Sequence, residues 1–96
     1  LNPSRSDTRL VLIPSYNAGD KLIATVREAR EHWSPVWVVV DGSNDGSERA
    51  VAELAAHDDG VRILVLPANR GKGAAVLQGL RAARDAGFTH ALTMDS

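Results

Sequence analysis

Val36-Trp37-Val38-Val39-Val40-Asp41-Gly42-Ser43-Asn44-Asp45-Gly46-Ser47 is an apolar run that stops on a carboxylate and turns. Its first five residues are β-branched or aromatic, too few for a helix, and are bounded by Pro35 and by Asp41-Gly42. Such a run reads as a strand buried on both faces. The polar turn that follows carries two acids and two glycines. A buried strand that delivers an acid at its carboxyl end, beside glycines that let the backbone approach a ligand, is how open α/β sheets build nucleotide sites.

Upstream of this stretch, Leu1 to Thr8 is polar and reads as a flexible arm, leaving residues 9–96 as one domain. Arg9 to Ile13 predicts a first strand ended by Pro14, which has no N–H to continue a central ladder. A helix follows to about Trp33, with Leu22, Ile23, Val26, Ala29 and Trp33 on one face. Trp33 and Trp37, on either side of Pro35, are expected to pack the junction between that helix and the next strand.

Downstream, a second helix is expected from Asp45 or Ser47, with Ala50, Val51, Leu54 and Ala55 as its buried stripe and Asp58-Asp59-Gly60 closing it. Val61 to Leu66 predicts the third strand, ended by Pro67. The third helix is expected over 73–86, burying Val76, Leu77, Leu80 and Ala83. Gly79 in its middle suggests close packing on a strand, and Gly87 is the expected C-cap. Thr89 to Met94 predicts the fourth strand. Strand ends fall at Pro14, Asp41, Pro67 and Asp95, at intervals of 27, 26 and 28 residues. That rhythm of a short strand, a helix of three to four turns and two tight loops implies an α/β fold with a parallel sheet flanked by helices.

Composition narrows the function classes. The 96 residues carry a formal net charge of -1 with scattered Lys and Arg, so nothing suggests a nucleic-acid footprint. There is no cysteine, which excludes disulfides and thiolate metal sites. No apolar run approaches the roughly 20 residues of a membrane helix, and the chain reads as soluble. The closing residues Ala91 to Ser96 look like another strand followed by nothing, which suggests a fragment of a longer protein.

In a parallel sheet all carboxyl ends lie on one edge, where ligands bind. Tyr16-Asn17, Asp41 to Ser47, Asn69 to Gly73 and Asp95 are therefore expected to converge. Asn17 reads either as a helix cap or as a pocket residue. Asp41 must be solvated, capped or bound to a partner, and can accept hydrogen bonds from a ribose hydroxyl or a base N–H. Asp45 reads as an N-cap. Lys72, beside two glycines at a helix N-terminus, suits a phosphate but also fits a solvated loop lysine. Tyr16 could stack on a base or be an ordinary turn tyrosine, and Asp95 is where a cation on a diphosphate could be held. A rival reading takes Gly71-Lys72-Gly73-Ala74-Ala75-Val76 as a dinucleotide fingerprint, with Asp95 as its acid; Val76 stands where the third glycine or alanine belongs.

Four pieces in order, Ile13-Pro14-Ser15-Tyr16-Asn17, Val40-Asp41-Gly42-Ser43-Asn44-Asp45-Gly46-Ser47, Asn69-Arg70-Gly71-Lys72-Gly73 and Met94-Asp95-Ser96, resemble the family 2 glycosyltransferases. The Arg70-Gly71-Lys72-Gly73 form looks most like the polyprenyl-phosphate branch, the dolichyl-phosphate mannose or glucose synthase-like enzymes. The resemblance implies a Rossmann-like GT-A fold, three-layer α/β/α, truncated after the fourth strand, with residues 9–96 as an incomplete nucleotide-sugar-binding domain. It implies inverting transfer from a UDP- or GDP-sugar to a polyprenyl phosphate or glycan in cell-envelope glycan synthesis. The alternatives are a non-catalytic nucleotide-binding α/β domain and an NAD-dependent oxidoreductase domain.

The same resemblance implies that Pro14, Tyr16, Asn17, Asp41, Ser43, Asn69, Gly71, Lys72 and Asp95 bind the nucleotide, with Asp41 on the uracil or guanine base. Asp95 looks like the first acid of an Asp-x-Asp motif that binds ribose and a Mg2+ or Mn2+ on the diphosphate. The second acid, the general base and the acceptor site would lie beyond Ser96. Ala18-Gly19 stands where many relatives carry an acid. The implied location is cytoplasmic, with the cytoplasmic face of a membrane as the variant for a full-length protein.

Overall fold

The computed structural model describes residues 4–42, 45–67 and 70–95. In chain order the elements are β1 (Ser4–Arg5), β2 (Arg9–Ser15), α1 (Asp20–His32), β3 (Trp33–Ser34), β4 (Val36–Asp41), α2 (Ser47–His57), β5 (Val61–Leu66), α3 (Lys72–Asp85) and β6 (His90–Thr93). Four strands form a parallel sheet in the order β5-β4-β2-β6. The chain steps outward from β2 through β4 to β5, then crosses back to place β6 on the other side of β2.

This order decides where the helices go. Val11, Ile13, Val36, Val38 and Val40 share one core with Leu22, Val26 and Ala29 of α1 and Val51 of α2. Leu10, Leu12, Trp37 and Val39 alternate onto the opposite face, against Ala75 and Ala83 of α3. The result is the expected three-layer α/β/α arrangement. β4 lies between two neighbours and under helices on both faces, so all of Val36–Asp41 is buried, and the uninterrupted valine run is its sequence signature.

Several local expectations are corrected. Pro14 does not end the first strand but sits inside it, paired with Val39, and Ser15 is paired with Val40. The Val11 N–H donates to Pro35 on the β4 side, while the Leu12 carbonyl accepts from Met94 on the β6 side. Pro14 shares the phase of Leu12, so its missing N–H falls beyond the last β6 pair, Leu12 with Thr93, and costs the β4 ladder nothing. Within the arm read at 1–8, Ser4–Arg5 pairs in parallel with Trp33–Ser34.

The third helix buries Ala83 and packs Val76 against the core as expected, but not Leu77 or Leu80. Ala75, Gly79 and Ala83 contact the sheet, whereas Leu77 and Leu80 are 47% and 40% exposed. The small residues let α3 sit close: a Cβ at Gly79 would lie 2.7 Å from a Leu12 methyl and 2.9 Å from a Val39 methyl. The close packing expected at Gly79 is thus present. Gly87, at φ +97°, ends α3 as expected, with the Phe88 N–H reaching back to Ala83 and the Gly87 N–H to Arg84.

In α2, Val51 is buried, Leu54 and Ala55 are half-buried, and Ala50 is exposed, unlike its expected place in the stripe. Trp37 does not pack the α1 junction either. It lies on the α3 face, edge-on to Phe88 at 5.4 Å, with the Arg62 guanidinium 4.6 Å from its ring centre. Trp33 does hold the junction, donating its indole N–H to the Arg9 carbonyl.

Candidate functional site

A sheet ordered β5-β4-β2-β6 has its topological switch point between β2 and β6, because connections leave β2 in one direction and return on the other side. Ligands bind in the crevice outside the carboxyl ends of the strands at such a point. A cleft of about 400 Å³ opens there, lined by Pro14, Ser15, Tyr16, Asp41, Gly71, Lys72, Ala75 and Asp95. The strand ends therefore do converge, and they come from β2, β4, the loop into α3, and the residues after β6.

Asp41 continues the phase of Trp37 and Val39, so its carboxylate points to the α3 side of the sheet. It is 2% exposed. Its Oδ1 accepts the Arg70 N–H at 3.0 Å and its Oδ2 accepts the Gly71 N–H at 2.9 Å. A carboxylate buried at a strand end is thus matched by two backbone donors, which removes most of the penalty of burying it. The same bonds position the loop that begins α3. Lone pairs remain on both oxygens for a ligand N–H.

Tyr16 leaves β2 half-exposed at 50%, its ring available to a flat ligand. Lys72, the first residue of α3, forms an ion pair with Asp95, and both side chains are largely exposed at 65% and 78%. These two expected ligand groups meet each other across the cleft mouth. Asp95 contributes a single carboxylate, and among the described residues no group of three or more His, Cys, Asp or Glu gathers to hold a metal ion. The residues described do not by themselves form the metal site that the resemblance implies.

Of the other expected site residues, Asn17 adopts a left-handed backbone at φ +47° and is not among the cleft-lining residues. The α1 N-cap position is Gly19, which has no side chain to cap with. Ser43 and Asn69 lie outside the described residues. Asp45 works between two loops: its Oδ1 accepts the Ser47 N–H and its Oδ2 accepts the Gly19 N–H, each at 3.0 Å. Hydrogen bonding from Ser47 first, and from Gly19, holds the Asp45 carboxyl below the ordinary aspartate value. It staples the turns after β2 and β4, whereas the N-cap position of α2 is Gly46 and not, as expected, Asp45.

Ser15, quoted in the first of the four pieces but given no site role, lines the cleft, is buried, and has a hydroxyl with no hydrogen-bond partner among the described residues. Its signal was its place, next to Pro14 at a strand end. Leu10, Val11, Ala29, Trp33, Leu92 and neighbouring residues line a larger cavity of about 490 Å³ between α1 and β6. That one is apolar and holds none of the polar strand-end groups.

The sequence profile described as Glycosyl transferase family 2 matches residues 10–96. The chain belongs to this family. A search of curated proteins finds no significant match. Among solved structures, the family 2 chain is similar to a mannosyltransferase from Pyrobaculum calidifontis in complex with GDP-Man and Mn2+, at 24% identity and a TM-score of 0.62. The match covers 84% of this chain and 26% of that enzyme, so the family 2 chain spans about a quarter of the length of the protein it resembles. The likeness shows the fold, which is GT-A, and no helix among the described residues is long and apolar enough to cross a membrane.

Proposed function

We propose that the cleft at the β2/β6 switch point binds the nucleotide of a UDP- or GDP-sugar, and that residues 9–96 are the donor-binding part of a glycosyltransferase. The observation that carries this is the meeting of Tyr16, Asp41, Gly71, Lys72 and Asp95 in one cleft of about 400 Å³, in a chain that belongs to family 2. The similar mannosyltransferase binds GDP-Man, which favours a GDP-sugar as the first donor to try.

Each residue has a role that its chemistry supports. The exposed ring of Tyr16 covers a face of the base. Asp41 holds the Arg70-Gly71 backbone in place and, with its remaining lone pairs, accepts an N–H of uracil or guanine. Pro14 forms a rigid wall on the α3 side. Lys72 meets the diphosphate, helped by the N-terminal end of α3, and Asp95 accepts a ribose hydroxyl. Ser43, Asn69 and Asn17 remain nucleotide contacts by resemblance only.

The reaction would be an inverting single displacement at the sugar carbon, with a polyprenyl phosphate or glycan as acceptor and a nucleoside diphosphate as leaving group. No general base is assigned within these residues. A divalent cation, Mg2+ or Mn2+, would neutralise charge on the leaving diphosphate when bound, drawing one ligand from Asp95 and the rest from outside the described residues. Placement at the cytoplasmic face of a membrane, and a role in cell-envelope glycan synthesis, follow from a lipid-phosphate acceptor and stand or fall with it.

Calorimetric titration of the chain with UDP, GDP and NAD, with and without Mn2+, tests the proposal. Binding of GDP or UDP in preference to NAD is expected. Preferential NAD binding that depends on Gly71 and Gly73 would replace it with the oxidoreductase reading.

A further inference from the structure

We infer that the free edge of β6 pairs with a second copy of this chain, the two strands running antiparallel about a two-fold axis at Leu92. The surface lies apart from the donor cleft and does not depend on what that cleft binds. Among the described residues β6 is hydrogen-bonded on one side, to β2. On that side the His90 and Met94 N–H groups donate to the Thr8 and Leu12 carbonyls. Alternate residues of a strand turn their backbone groups to opposite sides, so Ala91 and Thr93 present N–H and C=O outward. Edges are ordinarily blunted by a charge, a proline or a covering element. The run from Thr89 to Met94 has no Lys, Arg, Asp, Glu or Pro, whereas β5, at the opposite edge, carries Arg62.

The face beside this edge is open as well. Leu92 pairs with Val11 on the α1 side of the sheet, is 65% exposed, and lines the apolar cavity with Ala29, Trp33 and Met94. α1 packs on β4 and β2, and α3 lies on β4 and β2 more than on β6, so neither helix layer blocks approach to the edge. What selects a second copy as the occupant is that the strand is complementary to itself. A two-fold axis at Leu92 sets Ala91 opposite Thr93 of the other copy and Thr93 opposite its Ala91. Outward groups then meet outward groups, and each pair exchanges both N–H···O=C bonds. Leu92 faces Leu92 at the non-hydrogen-bonded position, about 4.5 Å apart at Cα, where side chains of an antiparallel ladder come closest. Each leucine shields the exposed wall of the other's cavity, and no charge along the strand meets its own image. A net charge of -1 per chain adds little repulsion. The four-stranded sheet thereby continues into its mate across the axis.

Sedimentation velocity of the 96-residue chain from micromolar to millimolar concentration tests the proposal. A monomer–dimer equilibrium is expected, with amide exchange at Ala91 and Thr93 slowing as dimer accumulates while the β5 amides keep their rates. Leu92→Lys and Leu92→Glu each set like charges opposite one another and should weaken self-association about tenfold or more. Urea unfolding should change little in either, because the side chain is exposed. An equimolar mixture of the two variants should dimerise again, because Lys then faces Glu. A wild-type chain that stays monomeric at millimolar concentration overturns the second copy as occupant and leaves the edge to some other extended segment. Dimers that survive both substitutions, a mixture that associates no better than either variant alone, or protection at β5 in place of β6 would each overturn the pairing at Leu92.

Discussion

Replacing Asp41 with Asn removes one charge and almost no volume, so it isolates the hydrogen bonding of a group that is 2% exposed. The carboxylate accepts N–H groups from Arg70 and Gly71 at 3.0 and 2.9 Å. Asn keeps one acceptor oxygen and turns an NH2 group toward the other N–H. One charge-assisted bond is lost, at about 1.5–3 kcal/mol, and the bond that survives is weakened. We expect Asp41→Asn to cost about 2 kcal/mol and Asp41→Ala about 2–4. Stability for 96 residues is typically about 5–14 kcal/mol, so both variants fold but are measurably weaker. Urea unfolding followed by the fluorescence of Trp33 and Trp37 reads the loss directly. Because the same bonds hold the loop into α3, GDP or UDP affinity should fall with stability. Asp41→Asn within about 0.5 kcal/mol of wild type would refute the clamp; unchanged nucleotide binding in Asp41→Ala would refute its place in the site.

Three further outcomes follow from the packing. Gly79→Ala should destabilise by roughly 1–2 kcal/mol in urea unfolding, because overlap with the buried Leu12 and Val39 methyls outweighs the gain in helix propensity. Asp58 accepts both Arg30 Nε and Nη2, at 3.0 and 2.9 Å, and the Gly60 N–H at 2.9 Å. The Arg30 hydrogen bonds lead in holding its carboxyl below the ordinary aspartate value, so its contribution is full above the unfolded value near 4 and is lost as pH falls through the folded one. Asp58→Asn should remove about 1–2 kcal/mol at pH 7 and flatten the acid limb of the stability curve. Asp45→Ala should release the Gly19 and Ser47 amides together, read as faster hydrogen exchange at both while the β4 amides stay protected.

The fold was legible because strand and helix signals alternate with hardly any ambiguity. The all-apolar Val36 to Val40 could only be a central strand, and the strand ends recur every 26 to 28 residues. Convergence of the polar turns followed from parallel topology alone. What escaped the sequence was set by tertiary distance. Leu77 and Leu80 look like part of a buried stripe by hydrophobicity, yet close approach favoured the small Ala75 beside the expected Gly79 and Ala83. Arg30 with Asp58 and Gly19 with Asp45 pair residues 28 and 26 apart, and no local pattern marks such partners. Asp41 was legible as an acid needing partners, but not that the next loop's backbone would supply them.

The central claim is that the nucleotide sits at the β2/β6 switch point, and amide chemical-shift mapping with GDP and UDP tests it most directly. The account predicts that one of them perturbs Tyr16, Asp41, Gly71, Lys72 and Asp95, and leaves the apolar cavity beside α1, around Ala29 and Leu92, unmoved. Perturbations confined to that apolar cavity, with none at the strand ends, would contradict it.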